Sequence, residues 1–221
     1  MTSGAAATPG ETPQSSSTEV SERYLLLADI SGYTSFLGAV EESHGVDFSE
    51  GIPAGFAIIG ALLDAVVDGI QPPFEVAKLE GDAVFATASA DRLDGDGDQL
   101  IDLLREVNRS FEAVRVRQAK LATDHVCSGC PRAATLELKM IVHRGQVVAV
   151  PGHGVSDIHG RAVTLVHRLL KNTVRSRFGA RPYLLLTQAA ASALELDEAG
   201  SAHQEQYEDL GVVEGRVVEL A

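Results

Sequence analysis

Two aspartates stand where carboxylates can do chemistry. Asp29 ends the apolar run Tyr24-Leu-Leu-Leu-Ala28, and Asp82 closes the turn Glu80-Gly-Asp82 between two short apolar segments. Brought to one end of a sheet they repel, and a hard divalent cation relieves that repulsion. Apart, each is an ordinary turn residue. His125, Cys127, Cys130 and His143 form a second group, whose Cys-x-x-Cys spacing suits zinc. With a single such pair, reduced thiols are the competing and preferred reading. Asp94-Gly-Asp-Gly-Asp98 resembles a calcium loop, but Gln99 stands at its glycine position and Arg105 at its bidentate acid. A solvated loop is expected there. Gly152-His-Gly154 lacks the third glycine of a dinucleotide fingerprint. His153, His159 and His167 are expected on loop or helix surfaces.

The elements that must position these groups follow from periodicity. The run 24–28 is short, continuous and bounded by a charge, which predicts a buried central strand. Phe36 and Val40 share the face of a short helix. Phe56, Ile59, Leu62, Leu63 and Val66 recur at helical spacing over 52–69, where Pro72-Pro73 ends the pattern. A hairpin, 74–79 and 83–88, turns at Glu80-Gly-Asp82. A helix over 99–121, N-capped by Asp98, presents Leu100, Leu103, Leu104, Val107, Phe111 and Val114 on one side. A strand over 135–142 completes β-α-α-β-β-α-β, an α+β ferredoxin-like split arrangement with one extra helix. A hairpin return at 146–150, a loop at 151–160 and a helix at 161–176 follow. Then come a strand at 183–186, a short helix capped by Thr187, and strands near 206–210 and 216–220.

Composition narrows the function classes. Eighteen Lys and Arg against 31 Asp and Glu give a net charge of −13, which opposes binding to nucleic acid or an anionic membrane. The 45% hydrophobic content supports a packed core. Apolar stretches are broken well before eighteen residues, so no membrane span is expected. The N-terminus shows no basic region followed by an apolar one, so no secretory signal is read and a cytoplasmic protein is expected. Residues 1–21, rich in Ala, Ser, Thr, Gly and Pro, are expected as a disordered tail before one domain over 22–221, with order starting near Arg23.

Four motifs, in order, carry a resemblance. Leu27-Ala-Asp-Ile-Ser-Gly-Tyr-Thr34 resembles the first metal motif of class III nucleotidyl cyclases, and Lys78-Leu-Glu-Gly-Asp82 their Lys-x-x-Gly-Asp hairpin. Ile141-Val-His-Arg-Gly145 is similar to their Ile-His-x-Gly strand end. The segment from Asp157 to Leu169 follows their Asp-Ile-x-Gly-x-x-Val-Asn-x-Ala-x-Arg-Leu run. Cys127-x-x-Cys130 looks like an insertion marking an uncharacterised bacterial branch. The resemblance implies the class III catalytic-domain fold and a homodimer, with Asp29 and Asp82 of one protomer facing Thr164 and Arg168 of the other. It implies two Mg²⁺ or Mn²⁺ ions on Asp29, Asp82 and the Ile30 carbonyl, and a purine-reading pair, Lys78 and Asp157. Arg168 would stabilise the transition state as ATP becomes 3′,5′-cyclic AMP and pyrophosphate. Two departures stand out. Thr164 replaces the ribose-orienting asparagine, and Val213-Glu-Gly-Arg216 stands where a Lys-Gly-Lys turn is expected. They favour the alternative, a catalytically weak nucleotide- or metal-binding module that signals by dimerising.

Overall fold

The computed structural model describes residues 18–44, 54–122, 129–152, 155–179 and 181–220. Its central strand, β1 (Glu19–Ser31), serves two layers through its alternation. Tyr24, Leu26, Ala28 and Ile30 enter one core, and Leu25 and Leu27 enter the other. Burial on both faces is why the strand reads as a continuous apolar run. It begins at Glu19, ahead of Arg23, while residues 1–17 lie outside those described.

Strands β3 (Ala83–Ser89) and β4 (Glu137–Gly152) flank β1, both antiparallel to it. Outside them lie β2 (Glu75–Glu80) on one side and β6 (Tyr183–Thr187), β8 (Gly211–Glu219) and β7 (Ser201–Tyr207) on the other. The order is β2-β3-β1-β4-β6-β8-β7, with β5 (Val155–His159) paired to the far half of β4. Helices α1 (Tyr33–His44), α2 (Ala54–Ile70), α3 (Gly97–Ala122) and α6 (Gln188–Ala193) cover the first face. On the second lie α4 (Arg161–Arg168) and α5 (Val174–Phe178). Within α2, Ile58, Ile59, Leu62, Leu63 and Val66 are all buried; deleting a side chain such as Leu62 to alanine should cost about 2–5 kcal/mol. This is the expected α+β fold with its β-α-α-β-β-α-β core.

Four local expectations change. No hairpin return occurs at 146–150, because β1 continues and pairs with β4 as far as Ala149. Gly145 is therefore not a turn; an added Cβ would lie 2.9 Å from His143 Nε2 and 3.0 Å from Ala162 Cβ. The helix over 161–176 breaks in two after Arg168, and Asn172 bridges the break, donating to Leu169 O and accepting from Val174 N. Asp98 lies inside α3 rather than at its cap, since the helix starts at Gly97 and Gln99 donates to Asp96 Oδ1. The last two strands start earlier than expected, which moves their turn to 208–210.

Candidate functional site

Alternation carries Asp29 onto the α4 face after Leu25 and Leu27, opposite Ala83 of β3 and Lys139 of β4. Gly81, at φ +69°, makes the tight hairpin turn. The Ile30 amide then donates to Asp82 O at 3.1 Å, fastening the hairpin tip to the end of β1. The two carboxylates come near enough for one charge to act on the other. Burial, and then the charge of Asp29, push the Asp82 carboxyl above its ordinary range. The sequence did not single out the cation paired with Asp29. Lys139 Nζ lies 3.0 Å from Asp29 Oδ2 and donates to Leu170 O at 3.1 Å, the two side chains being 17% and 14% exposed. The signal for it was a lysine in step with Ile141, on the strand face opposite Leu138 and Met140.

These donors suit a hard divalent cation. Asp29 and Asp82 supply carboxylate oxygens, and Ile30 offers only its backbone, its side chain being buried in the core. Among the described residues no set of three or more His, Cys, Asp or Glu gathers around a metal position. Such a sparse set fits an ion that completes its shell with water and phosphate oxygens, as Mg²⁺ does. Lys139 competes with it for one oxygen of Asp29.

Lys78 and Asp157, 79 positions apart in the chain, line one cleft of about 240 Å³ walled by Phe85, Ile158 and Val163. They are not alone in it. Lys78 Nζ lies 3.3 Å from Glu80 Oε1, and the other Glu80 oxygen is 2.9 Å from His167 Nε2. His167 Nδ1 is 2.8 Å from Val163 O, so both ring nitrogens face acceptors, and the ring stands edge-on to Phe85. His167 is thus half-buried and paired rather than a surface group. Asp157 accepts from the Ile158 amide at 2.9 Å, and His159 Nε2 is 3.7 Å from its other oxygen.

Thr164 and Arg168 share the exposed side of α4, one position round from the cleft-lining Val163 and His167. Arg168 is held by Asp209 at 2.9 Å. Asp209 lies in the β7–β8 turn, Glu208-Asp-Leu210, which is where the phosphate-binding lysines would fall; 213–216 is instead strand. Arg216 is turned away from any such role, donating to Ala199 O at 2.8 Å and Gly200 O at 3.2 Å.

The Cys-x-x-Cys group lies partly outside the described residues. Cys127 and His125 lie outside the described residues, as does His153, and only buried Cys130 can be placed. His143 faces away from zinc chemistry: its Nδ1 is 2.8 Å from Thr187 Oγ1, which itself accepts from the Ala190 amide and caps α6. Burial pulls this histidine down to about 4, so the ring is neutral at neutral pH. Asp94 is no calcium ligand either. Arg144 grips both its oxygens at 2.9 Å, and Tyr24 donates to it at 2.6 Å, which holds the carboxyl below its ordinary range.

Comparisons with known proteins bear on this arrangement. The family described as Protein of unknown function (DUF2652) matches residues 59–177. An uncharacterized protein of Mycobacterium tuberculosis, Rv2561/Rv2562, is 28% identical over 165 residues, covering 72% of each chain. The guanylyl cyclase Cya2 superposes with a TM-score of 0.64 at 15% identity, over 92% of this chain and 98% of its own. A bacterial light-regulated adenylyl cyclase gives 0.61 at 18% identity over 95% of this chain, which spans 55% of that cyclase's length. A class III adenylyl cyclase-like ATP-binding protein from Pseudomonas aeruginosa gives 0.56 at 16% identity, over 80% of this chain and 35% of its own. These likenesses establish the class III cyclase catalytic-domain fold. No helix among the described residues is long and apolar enough to cross a membrane.

Proposed function

The chain belongs to the DUF2652 family, and we propose that it is a nucleotidyl cyclase-like protein that converts ATP to 3′,5′-cyclic AMP and pyrophosphate at a homodimer interface. The observation that carries this reading is the shared cleft of Lys78 and Asp157. An ammonium and a carboxylate facing a base-sized, apolar-walled space match adenine, which offers an acceptor at N1 and a donor at N6. Guanine presents the opposite pattern at those two atoms.

Ring closure forms the bond from the ribose 3′-oxygen to the α-phosphorus and breaks the bond to the leaving pyrophosphate. Positioning and charge stabilisation supply most of the rate for such a transfer. Lys78 and Asp157 hold the base, and Asp29 and Asp82 of the partner protomer face the phosphates. Asp29 and Asp82, with the Ile30 carbonyl, would hold two Mg²⁺ or Mn²⁺ ions, which when bound lower the pKa of the 3′-hydroxyl and neutralise phosphate charge. Arg168, once released from Asp209, offers its planar fork to the phosphorus centre, and Thr164 offers one hydroxyl to the ribose. Both sit on the exposed side of α4, where a second chain can reach them.

A second reading has its own support. Arg168 is already paired with Asp209, and the β7–β8 turn carries Glu208 and Asp209 rather than lysines. That favours a catalytically weak module that binds ATP and signals by dimerising. Incubating the protein with each ribonucleoside triphosphate and Mn²⁺, with mass spectrometry of the products, separates the two. Cyclic AMP that disappears on Asp82→Ala supports the enzyme; ATP binding without any cyclic product supports the module.

A further inference from the structure

Charge is distributed unevenly in this acidic chain. Residues 158–194 hold six of its 18 basic residues and none of its 31 acidic ones. Two of the six, Arg175 at α5 and Arg181 before β6, line a cleft of about 140 Å³ together with Ser31, Lys139 and Tyr183. Alternation places Ser31, Lys139 and Tyr183 on the α4 face of the sheet, at the end where Asp29 lies. Lys139 belongs to both places. Two of its three ammonium protons are directed at Asp29 and Leu170 O, which leaves one for the cleft.

We infer that Lys139, Arg175 and Arg181 form a recognition site for phosphate groups, one that replaces the lysines missing from the β7–β8 turn. For a nucleotide as the ligand, this rests on the function proposed above. The two arginines are available for exchange. Arg175 pairs with Glu137 at 3.3 Å and Arg181 with Glu219 at 3.1 Å, with both guanidinium groups more than half exposed. Exposed pairs of this kind contribute little, whereas a phosphate accepts the guanidinium fork in bidentate fashion with more charge. Glu137 is the single carboxylate in the lining, against three cations. A phosphate chain seated here would lie beside Asp29, on the protomer that supplies the carboxylate pair.

The test uses inorganic tripolyphosphate and ATP as separate probes, with calorimetry on the full chain at low salt and without divalent cations. Arg175→Ala/Arg181→Ala should weaken tripolyphosphate and ATP alike by at least about tenfold. Arg105→Ala/Arg109→Ala, which removes the same charge from α3, should leave both affinities near wild type. Should the first variant misfold by circular dichroism, Arg175→Lys/Arg181→Lys keeps the charge, removes the fork, and should still weaken both. Equal weakening in the α3 variant, or no tripolyphosphate binding to the wild type, overturns the site. Tripolyphosphate bound by the wild type while ATP is not would sink the nucleotide reading and leave the site standing. ATP binding unchanged by the cleft substitutions would sink the site alone.

Discussion

Acidification should destabilise this protein well before its carboxylates titrate, through His143. The ring is buried at the β4–β6 junction, its Nδ1 lies 2.8 Å from the Thr187 hydroxyl oxygen, and burial lowers it from 6.5 to about 4. Between those values the unfolded chain binds a proton that the native state refuses, so stability is whole above pH 6.5 and falls as pH drops toward 4. A shift of that size corresponds to a loss of about 2 kcal/mol by pH 5 and about 3 kcal/mol by pH 4. For a domain of this length, 2 kcal/mol is roughly 4–8 °C in Tm. Three carboxyls also contribute on the acid side. The lowered carboxyls of Asp94 and Glu205 lose their contribution below their ordinary values of 3.8 and 4.5, and the raised carboxyl of Asp82 acts in the opposite sense. Urea denaturation from pH 8 to pH 4 measures the slope. His143→Asn, which keeps a hydrogen-bonding amide toward Thr187 without a titrating ring, should be less stable throughout yet flatter across that range. Parallel curves for the two proteins would refute the reasoning.

Lys139→Met leaves Asp29 unpaired beside Asp82 and should cost about 1–3 kcal/mol by chemical denaturation, with Asp29→Asn restoring part of the loss; an unchanged midpoint would show the ion pair to be inert. Lys78→Ala and Asp157→Ala should each reduce a preference for ATP over GTP by about tenfold in competition binding, a modest figure because Lys78 is 66% exposed. Equal affinities in the unmodified protein would show that this pair does not read adenine. Gly215→Ala would place a Cβ 2.1 Å from Leu186 O across the β6–β8 pair, and a melting temperature lower by several degrees is expected.

Periodicity and turn chemistry revealed whatever depends on neighbours in the chain. The central apolar strand, the helix read over 52–69, the hairpin that turns at Gly81, the Thr187 cap and the split α+β order were all legible. So was the convergence of Asp29 and Asp82, because a hairpin beside a central strand leaves few places for its tip. What could not be read depends on partners distant in sequence. Gly145 looked like a strand end, yet thirteen residues of β1 carry the ladder past it. The break after Arg168 is held by Asn172 and by Glu205, which accepts from both the amide and the hydroxyl of Thr173. The lysine-turn position shifted with the β7–β8 register, and pairing, not propensity, sets register. Lys139 on Asp29, His167 on Glu80 and Arg168 on Asp209 span 110, 87 and 41 positions. Residue types and spacing determined which groups could do chemistry here. Only the folded sheet decided which charges neutralise one another, because an ion pair depends on distance in space and the sequence orders only distance along the chain.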